Sequence, residues 1–80
     1  MELSDYRAQI DQIDRQLVEL FAQRMNTAAG IAAYKKEHGL PVLDPVRERE
    51  KLLDAAAQAP EDMRDYTASL YTMLFELSRC

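Results

Sequence analysis

Two basic residues in the first half of the chain could hold a small anion between them. Lys35 lies 11 residues after Arg24, and on a helix that spacing returns the second side chain to within about 20° of the first, about 16 Å further along. Both side chains are long, and helical side chains lean toward the N-terminus, so the two charged heads can approach one ligand. The intervening residues leave room for a ligand or, equally, for close helix packing; they include Ala28, Gly30, Ala32 and Ala33.

A second group of charges follows at the turn Asp44-Pro45-Val46-Arg47-Glu48. A helix that starts here presents backbone N–H groups and the positive end of its dipole, both of which favour anions. Asp44 and Glu48 are i,i+4 neighbours on one face and can accept hydrogen bonds, while Arg47 adds a cation. The structural alternative is that Asp44 caps the helix and the remaining charges form a solvated surface.

The other reactive residue types give weaker signals. His38 precedes Gly39 at a predicted helix end, where its charge favours the helix dipole, so a catalytic role is the less favoured interpretation. Cys80 has no histidine or other base nearby in the sequence, which argues against a nucleophile. One His and one Cys are too few for a metal cluster. The sequence therefore predicts no metal.

A long first helix must position Arg24 and Lys35. Ser4 is a suitable N-cap, helical periodicity continues to His38, and Gly39 can adopt the left-handed conformation that ends a helix. Such a helix is about 50 Å long, whereas a compact globule of this size is about 30 Å across. An apolar seam at heptad-like spacing runs along it, comprising Leu3, Tyr6, Ile10, Ile13, Leu17, Leu20, Ile31 and Tyr34.

This seam predicts a homodimer in which two long helices pair, because a monomer leaves the seam uncovered. Arg24 and Thr27 occupy two seam positions. A lone charge there can fix the helix register or pair with a glutamate of the facing helix. The other interpretation is that the seam opens at Arg24 into a buried anion site.

Two shorter helices complete an all-α chain of three helices. Pro41 disfavours helix at Leu40, so residues 40–43 are predicted to be an extended link. Asp44 and Pro45 predict the N-cap and first position of the second helix, with Leu52 and Leu53 as its core contacts. A break at residues 59–62 starts the third helix. Its predicted buried stripe is Met63, Tyr66, Leu70, Met73 and Leu77.

Length and composition restrict the classes of partner. The chain of 80 residues allows one domain, predicted to span 1–80, and its net charge of −4 argues against nucleic acid or an anionic membrane as a partner. No apolar run is long enough for a transmembrane helix and no signal peptide is evident, so a cytoplasmic location is expected. A single Cys excludes an internal disulfide and agrees with a reducing environment.

Taken together, these motifs resemble the all-helical chorismate mutase family. The family's Arg followed by I-D-x-I-D appears as Arg7-Ala8-Gln9-Ile10-Asp11-Gln12-Ile13-Asp14. Its L-x-L-hydrophobic-x-x-R segment, the later Lys and the G-h-P-h-x-D-P-x-R-E segment fall on residues 17–24, Lys35 and residues 39–48. The resemblance is close over residues 3–53 and looser in the third helix, around Phe75-Glu76-Leu77-Ser78.

The resemblance implies an entwined dimer that converts chorismate to prephenate without a cofactor. It implies that Arg24 and Arg47, with Arg7, bind the substrate carboxylates and that Lys35 donates to the ether oxygen. It further implies that Asp44 and Glu48 orient the ring hydroxyl and that Ser78 contacts substrate. Arg7 lies 17 residues before Arg24, which is about 25 Å on one helix, so the Arg7 of each site must come from the partner chain. Otherwise Arg7 is a surface cation that pairs with Asp11.

One family residue has no counterpart. The family's C-terminal Gln, a second donor to the ether oxygen, would fall at position 82, beyond Cys80. We therefore expect either a fragment of a longer enzyme, possible partners being a fused or neighbouring prephenate-processing enzyme, or an ether oxygen stabilised by Lys35 alone. The alternative functions are a catalytically weak or silent chorismate-binding domain and a purely structural helical dimerisation module.

Overall fold

The computed structural model describes residues 1 to 79, which form three α-helices in series. Helix α1 spans Leu3–Glu37, α2 spans Pro45–Gln58, and α3 spans Arg64–Arg79 after a short 3-10 turn at Glu61–Met63. None of the described residues lies in a strand, so the predicted all-α class is confirmed. None of the helices within this part of the chain has the length and apolarity of a membrane span.

The chain divides into two compact units, one of residues 1–31 and one from Ala32 onward, with the boundary inside α1. The first unit starts differently from the prediction. Helix α1 begins at Leu3, so Ser4 lies within the helix and is not its N-cap. The Asp5 carboxylate instead accepts the backbone N–H of Glu2 at 2.8 Å. This contact satisfies a backbone donor at the helix start, the function that a cap performs.

The apolar seam is exposed along the whole of α1. Its eight apolar side chains have 53% to 61% of their surface accessible. In the first unit Arg24, Met25 and Ala28 are half-buried, and all the other residues are exposed. The single chain therefore leaves uncovered the surface for which the sequence predicts a partner helix, and the homodimer remains a prediction.

In the second unit, α2 packs against α3. Ala55 and Phe75 are the buried residues at this contact, with 7% and 9% of their surface accessible. Tyr71 meets Phe75 edge to face within α3, with ring centroids 6.1 Å apart. The core of one chain is therefore small, and its largest component is one aromatic side chain.

The predicted buried stripe of α3 was wrong for the single chain. Met63, Tyr66, Leu70, Met73 and Leu77 are all exposed, between 42% and 76%. The covered face is an adjacent one, which comprises Thr67, Ala68, Tyr71, Leu74, Phe75 and Ser78. Both sets have helical spacing, so periodicity alone could not choose between them. Likewise Leu52 is half-buried in α2, but Leu53 is 58% exposed.

Candidate functional site

The backbone around Lys35 is fixed by a complete helix C-cap. Gly39 has a φ of +67°, as predicted for the left-handed residue after the helix. The N–H of Leu40 donates to the carbonyl of Lys35 at 2.7 Å, and the N–H of Gly39 donates to that of Lys36 at 3.4 Å. This pair of bonds is the Schellman arrangement, which satisfies two of the last carbonyls of the helix. Lys35 therefore projects from an ordered last turn.

His38 contributes to the same helix end and has no contact that indicates catalysis. Its Nδ1–H donates to the carbonyl of Tyr34 at 2.9 Å. Its ring stacks on the ring of Tyr34, with centroids 4.0 Å apart. These contacts agree with the prediction that His38 supports the helix terminus. Cys80, the other weak candidate, lies outside the described residues.

The turn at Asp44 forms the predicted helix cap. The Oδ1 atom of Asp44 accepts the backbone N–H of Arg47 at 3.1 Å, and Pro45 occupies the start of α2. The carbonyl of Asp44 also accepts the N–H of Glu48 at 3.0 Å. The cap thus fixes the positions on α2 from which the side chains of Arg47 and Glu48 project. Arg47 is exposed, whereas Glu48 is half-buried.

Ser78 lies on the covered side of α3. It is half-buried, and its hydroxyl donates to the carbonyl of Phe75 at 3.0 Å. The hydroxyl oxygen keeps lone pairs that can accept a hydrogen bond from a ligand. In this arrangement Ser78 is therefore available as an acceptor, while its own hydrogen is engaged within the helix.

The two units divide the predicted site residues. Lys35, Asp44, Arg47, Glu48 and Ser78 all belong to the unit that begins at Ala32. Arg7 and Arg24 belong to the unit of residues 1–31, where Arg7 is exposed and Arg24 is half-buried. The structure therefore brings five of the seven predicted residues into one unit.

Burial distinguishes a small set of charged residues from the rest. Among charged side chains whose burial the structure describes, four are half-buried and the others are exposed; the four are Arg24, Lys35, Glu48 and Lys51. Charged groups avoid burial because they lose hydration, so a covered charge calls for an explanation. Three of the four were predicted from the sequence. Lys51 was not, and its only signal is its place on the covered side of α2.

Lys35 has no internal partner to explain its position. Its side chain makes no hydrogen bond or ion pair with the residues that the structure describes. In the same part of the chain, no fully buried side-chain nitrogen or oxygen atom lacks a partner, so the Lys35 ammonium must reach solvent. A cation on a half-covered stem with an accessible head is suited to binding an anionic ligand.

A cleft of about 300 Å³ separates parts of α2 and α3. Its lining combines apolar side chains with acids and a cation: Pro45, Glu48, Arg49, Leu52, Thr72, Phe75 and Glu76. Glu48 is the one predicted site residue in this lining. Within residues 1–79, no three His, Cys, Asp or Glu side chains form a group that could hold a metal ion.

Comparison with known proteins shows one family and several relatives to which the chain is similar. The family described as chorismate mutase type II matches residues 6–80. A chorismate mutase of Methanocaldococcus jannaschii is 38% identical over 48 residues, which is 60% of this chain and 48% of that protein. No solved structure matches the chain significantly.

Two other types of relative were found. The T-protein of Haemophilus influenzae is 44% identical over 46 residues, covering 58% of this chain and 12% of the T-protein. A 4-amino-4-deoxychorismate mutase of Streptomyces venezuelae is 37% identical over 46 residues, covering 58% of this chain and 45% of that enzyme. The chain therefore aligns with less than half the length of each of these relatives.

Proposed function

The chain belongs to the chorismate mutase type II family, and from this premise we propose that it catalyses the rearrangement of chorismate to prephenate. The reaction is a unimolecular [3,3] step, in which one carbon–oxygen bond breaks as one carbon–carbon bond forms. It requires no nucleophile and no proton transfer. A protein accelerates such a step by holding the reactive conformer and by stabilising the charge that develops on the ether oxygen.

The observation that carries this proposal is the half-buried, unpartnered Lys35. Its accessible ammonium supplies a donor for the ether oxygen, where negative charge grows in the transition state. Arg24 and Arg47 bind the carboxylates of the substrate, while Asp44 and Glu48 orient the ring hydroxyl. Ser78 accepts a hydrogen bond from the substrate.

The proposed active form is a homodimer in which Arg7 crosses to the partner's site. Support comes from the seam of α1, whose apolar side chains are more than half exposed in one chain. Burying such side chains contributes about 1.5–3 kcal/mol each, so the pairing of two seams is strongly favourable. Arg7 lies too far along α1 to reach the ligand of its own Arg24, as the 17-residue separation requires.

We further propose that this domain works beside, or fused to, an enzyme that consumes prephenate. The T-protein relatives support this arrangement because the matched segment is only 12% and 16% of their length. Their remaining sequence leaves room for a second activity. The pathway implied is the phenylalanine and tyrosine branch of aromatic amino-acid synthesis.

A second candidate substrate is 4-amino-4-deoxychorismate. The Streptomyces venezuelae relative, named for that substrate, is 37% identical over 46 residues, a similarity comparable to that of the Methanocaldococcus enzyme. The two substrates differ in whether the ring carries a hydroxyl or an amino group. Asp44 and Glu48 can accept hydrogen bonds from either group and so do not discriminate between the substrates. We favour chorismate because the family model that matches residues 6–80 is that of chorismate mutase type II.

The test is a spectrophotometric assay of chorismate loss with product identified as prephenate, run in parallel with the amino analogue. We expect turnover of chorismate whose kcat falls by about 100-fold in Lys35→Ala. Binding of chorismate should be measured separately by calorimetry. Binding without turnover would identify a silent binding domain, and absence of both would overturn the proposed function.

A further inference from the structure

Lys51 lies on the covered side of α2, although most of the other charged residues of this helix are exposed. It is half-buried, whereas Arg49, Glu50 and Asp54 are exposed. Its ammonium forms no hydrogen bond or ion pair with any described residue, Glu48 included, although Glu48 is at the favourable i,i+3 distance. As for Lys35, the head must reach solvent, because no fully buried polar atom of the described side chains lacks a partner.

The geometry of α2 places Lys51 among the predicted site residues. Each residue turns a helix by about 100°, so Lys51 lies between Arg47 and Glu48 around the axis, one turn further along. The cleft with α3 opens on the other flank of Glu48, toward Pro45 and Leu52, and its lining does not include Lys51. Lys51 therefore shares the side of α2 that carries Arg47 and Glu48.

A packing role accounts for the covered stem of Lys51 but not for the place of its charged head. Lysine stems often cover apolar surface while the head remains in water. Here the head also stands one turn from Arg47, and like charges at i,i+4 destabilise a helix slightly. An anion bound beside both cations removes that repulsion and provides charge-assisted hydrogen bonds.

We propose that Lys51 is a further substrate-binding residue, whose ammonium binds a carboxylate of the dianionic substrate next to Arg47. This inference rests on the proposed function, which supplies the dianion. A carboxylate carries its charge in both the ground state and the transition state, so Lys51 binds both about equally. Its removal should therefore raise KM and leave kcat nearly unchanged.

The experiment compares Lys51→Met, which keeps the apolar stem, with Lys51→Arg, which keeps the charge. Lys36→Met is the matched control, since Lys36 is exposed and adjoins Lys35. We expect Lys51→Met to raise KM for chorismate roughly 10-fold with kcat within about twofold, a loss in the range for a partly exposed charged hydrogen bond. Lys51→Arg and Lys36→Met should stay near the parental KM.

Salt gives a second readout that a structural role would not move. The parental KM should rise more steeply with ionic strength than that of Lys51→Met, because screening weakens a charge contact that the variant lacks. Lys51→Gln repeats the test if the methionine variant does not fold.

Two results would overturn the assignment of Lys51: an unchanged KM in both neutral variants, or a loss confined to kcat. Failure of the proposed function would show in the parental chain, which would then neither bind nor turn over chorismate. That result is distinct from failure of the Lys51 assignment, which appears only in the variants.

Discussion

Residues 1–31 and the residues from Ala32 onward differ in whether any of their apolar side chains are buried within a single chain. In the first unit every apolar seam residue is more than half exposed, and no residue is buried. In the second, α2 and α3 cover one another and bury Ala55 and Phe75. A single long helix has no second element within its own unit against which to pack. The comparison shows that one part of the chain obtains a small core from its own elements, whereas the other has none in a single chain, which is why we propose a partner for it.

The largest expected effect tests that dependence. Leu17 lies on the seam and Val18 does not, yet both are exposed in one chain, at 56% and 67%. We expect Leu17→Glu to weaken dimerisation by about 100-fold or more, because two buried leucines are lost per dimer at about 1.5–3 kcal/mol each. Val18→Glu should leave association nearly unchanged. Sedimentation equilibrium of both variants provides the measurement.

Equilibrium unfolding provides a second test of dimerisation through the seam. If folding and association are coupled, the parental midpoint of unfolding rises with protein concentration, and Leu17→Glu should abolish that dependence. A parental chain that is a stable folded monomer, or equal effects of the two substitutions, would show that the seam does not pair.

The second effect concerns Lys35, at the end of α1 but within the second unit. Lys35→Ala should lower kcat by about 100-fold, as expected for loss of one donor to a developing oxyanion. The exposed neighbour Lys36 supplies the control, since Lys36→Ala removes an equal charge one residue away. The measurement is steady-state kinetics on chorismate. If both variants kept the parental kcat, the assignment of Lys35 would be contradicted.

The third effect concerns a site that combines a residue of the first unit, Arg7, with a residue of the second, Lys35. If Arg7 acts across the dimer and Lys35 within its own chain, a mixed dimer of Arg7→Ala and Lys35→Ala contains one intact site and one doubly damaged site. Random pairing makes about half of the dimers mixed, so co-refolding equal amounts should restore about a quarter of parental sites. The two variants must be unfolded and refolded together, and activity is then assayed.

The control for this experiment is the unmixed pair of refolded variants. Activity of the co-refolded sample equal to the mean of the two variants would mean that Arg7 and Lys35 do not belong to opposite chains of one site.

The smallest effect is at Gly30, in the small-residue segment of α1. In the single chain a Cβ at this position meets nothing within 4 Å. Gly30→Ala should therefore stabilise the protein by about 0.5–1 kcal/mol through helix propensity alone. Urea unfolding measures the change. A loss of stability would instead show that a partner chain approaches this face closely, which would extend the paired surface beyond the seam.

Local sequence signals determined most of the helix boundaries and caps. Gly39 at the end of α1 and Asp44-Pro45 at the start of α2 were predicted correctly, because capping depends on a few adjacent residues and their hydrogen bonds. Ser4 was not, since the Asp5 carboxylate competes for the same helix start. Spacing and charge type also predicted Lys35, Arg24 and Glu48 as site residues, and the structure shows that these three side chains are half-buried.

Only the tertiary structure decided which faces are covered. Two adjacent stripes of α3 are both apolar, and the contact with α2 covers the one that contains Phe75 rather than the one that contains Leu70. In the same way, the sequence alone does not distinguish Lys51 from the other charged residues around it, and only the packing of α2 does. Helical periodicity fixes the angles between residues on one helix, but the absolute direction of each face depends on contacts with other elements, and those contacts are not local in sequence.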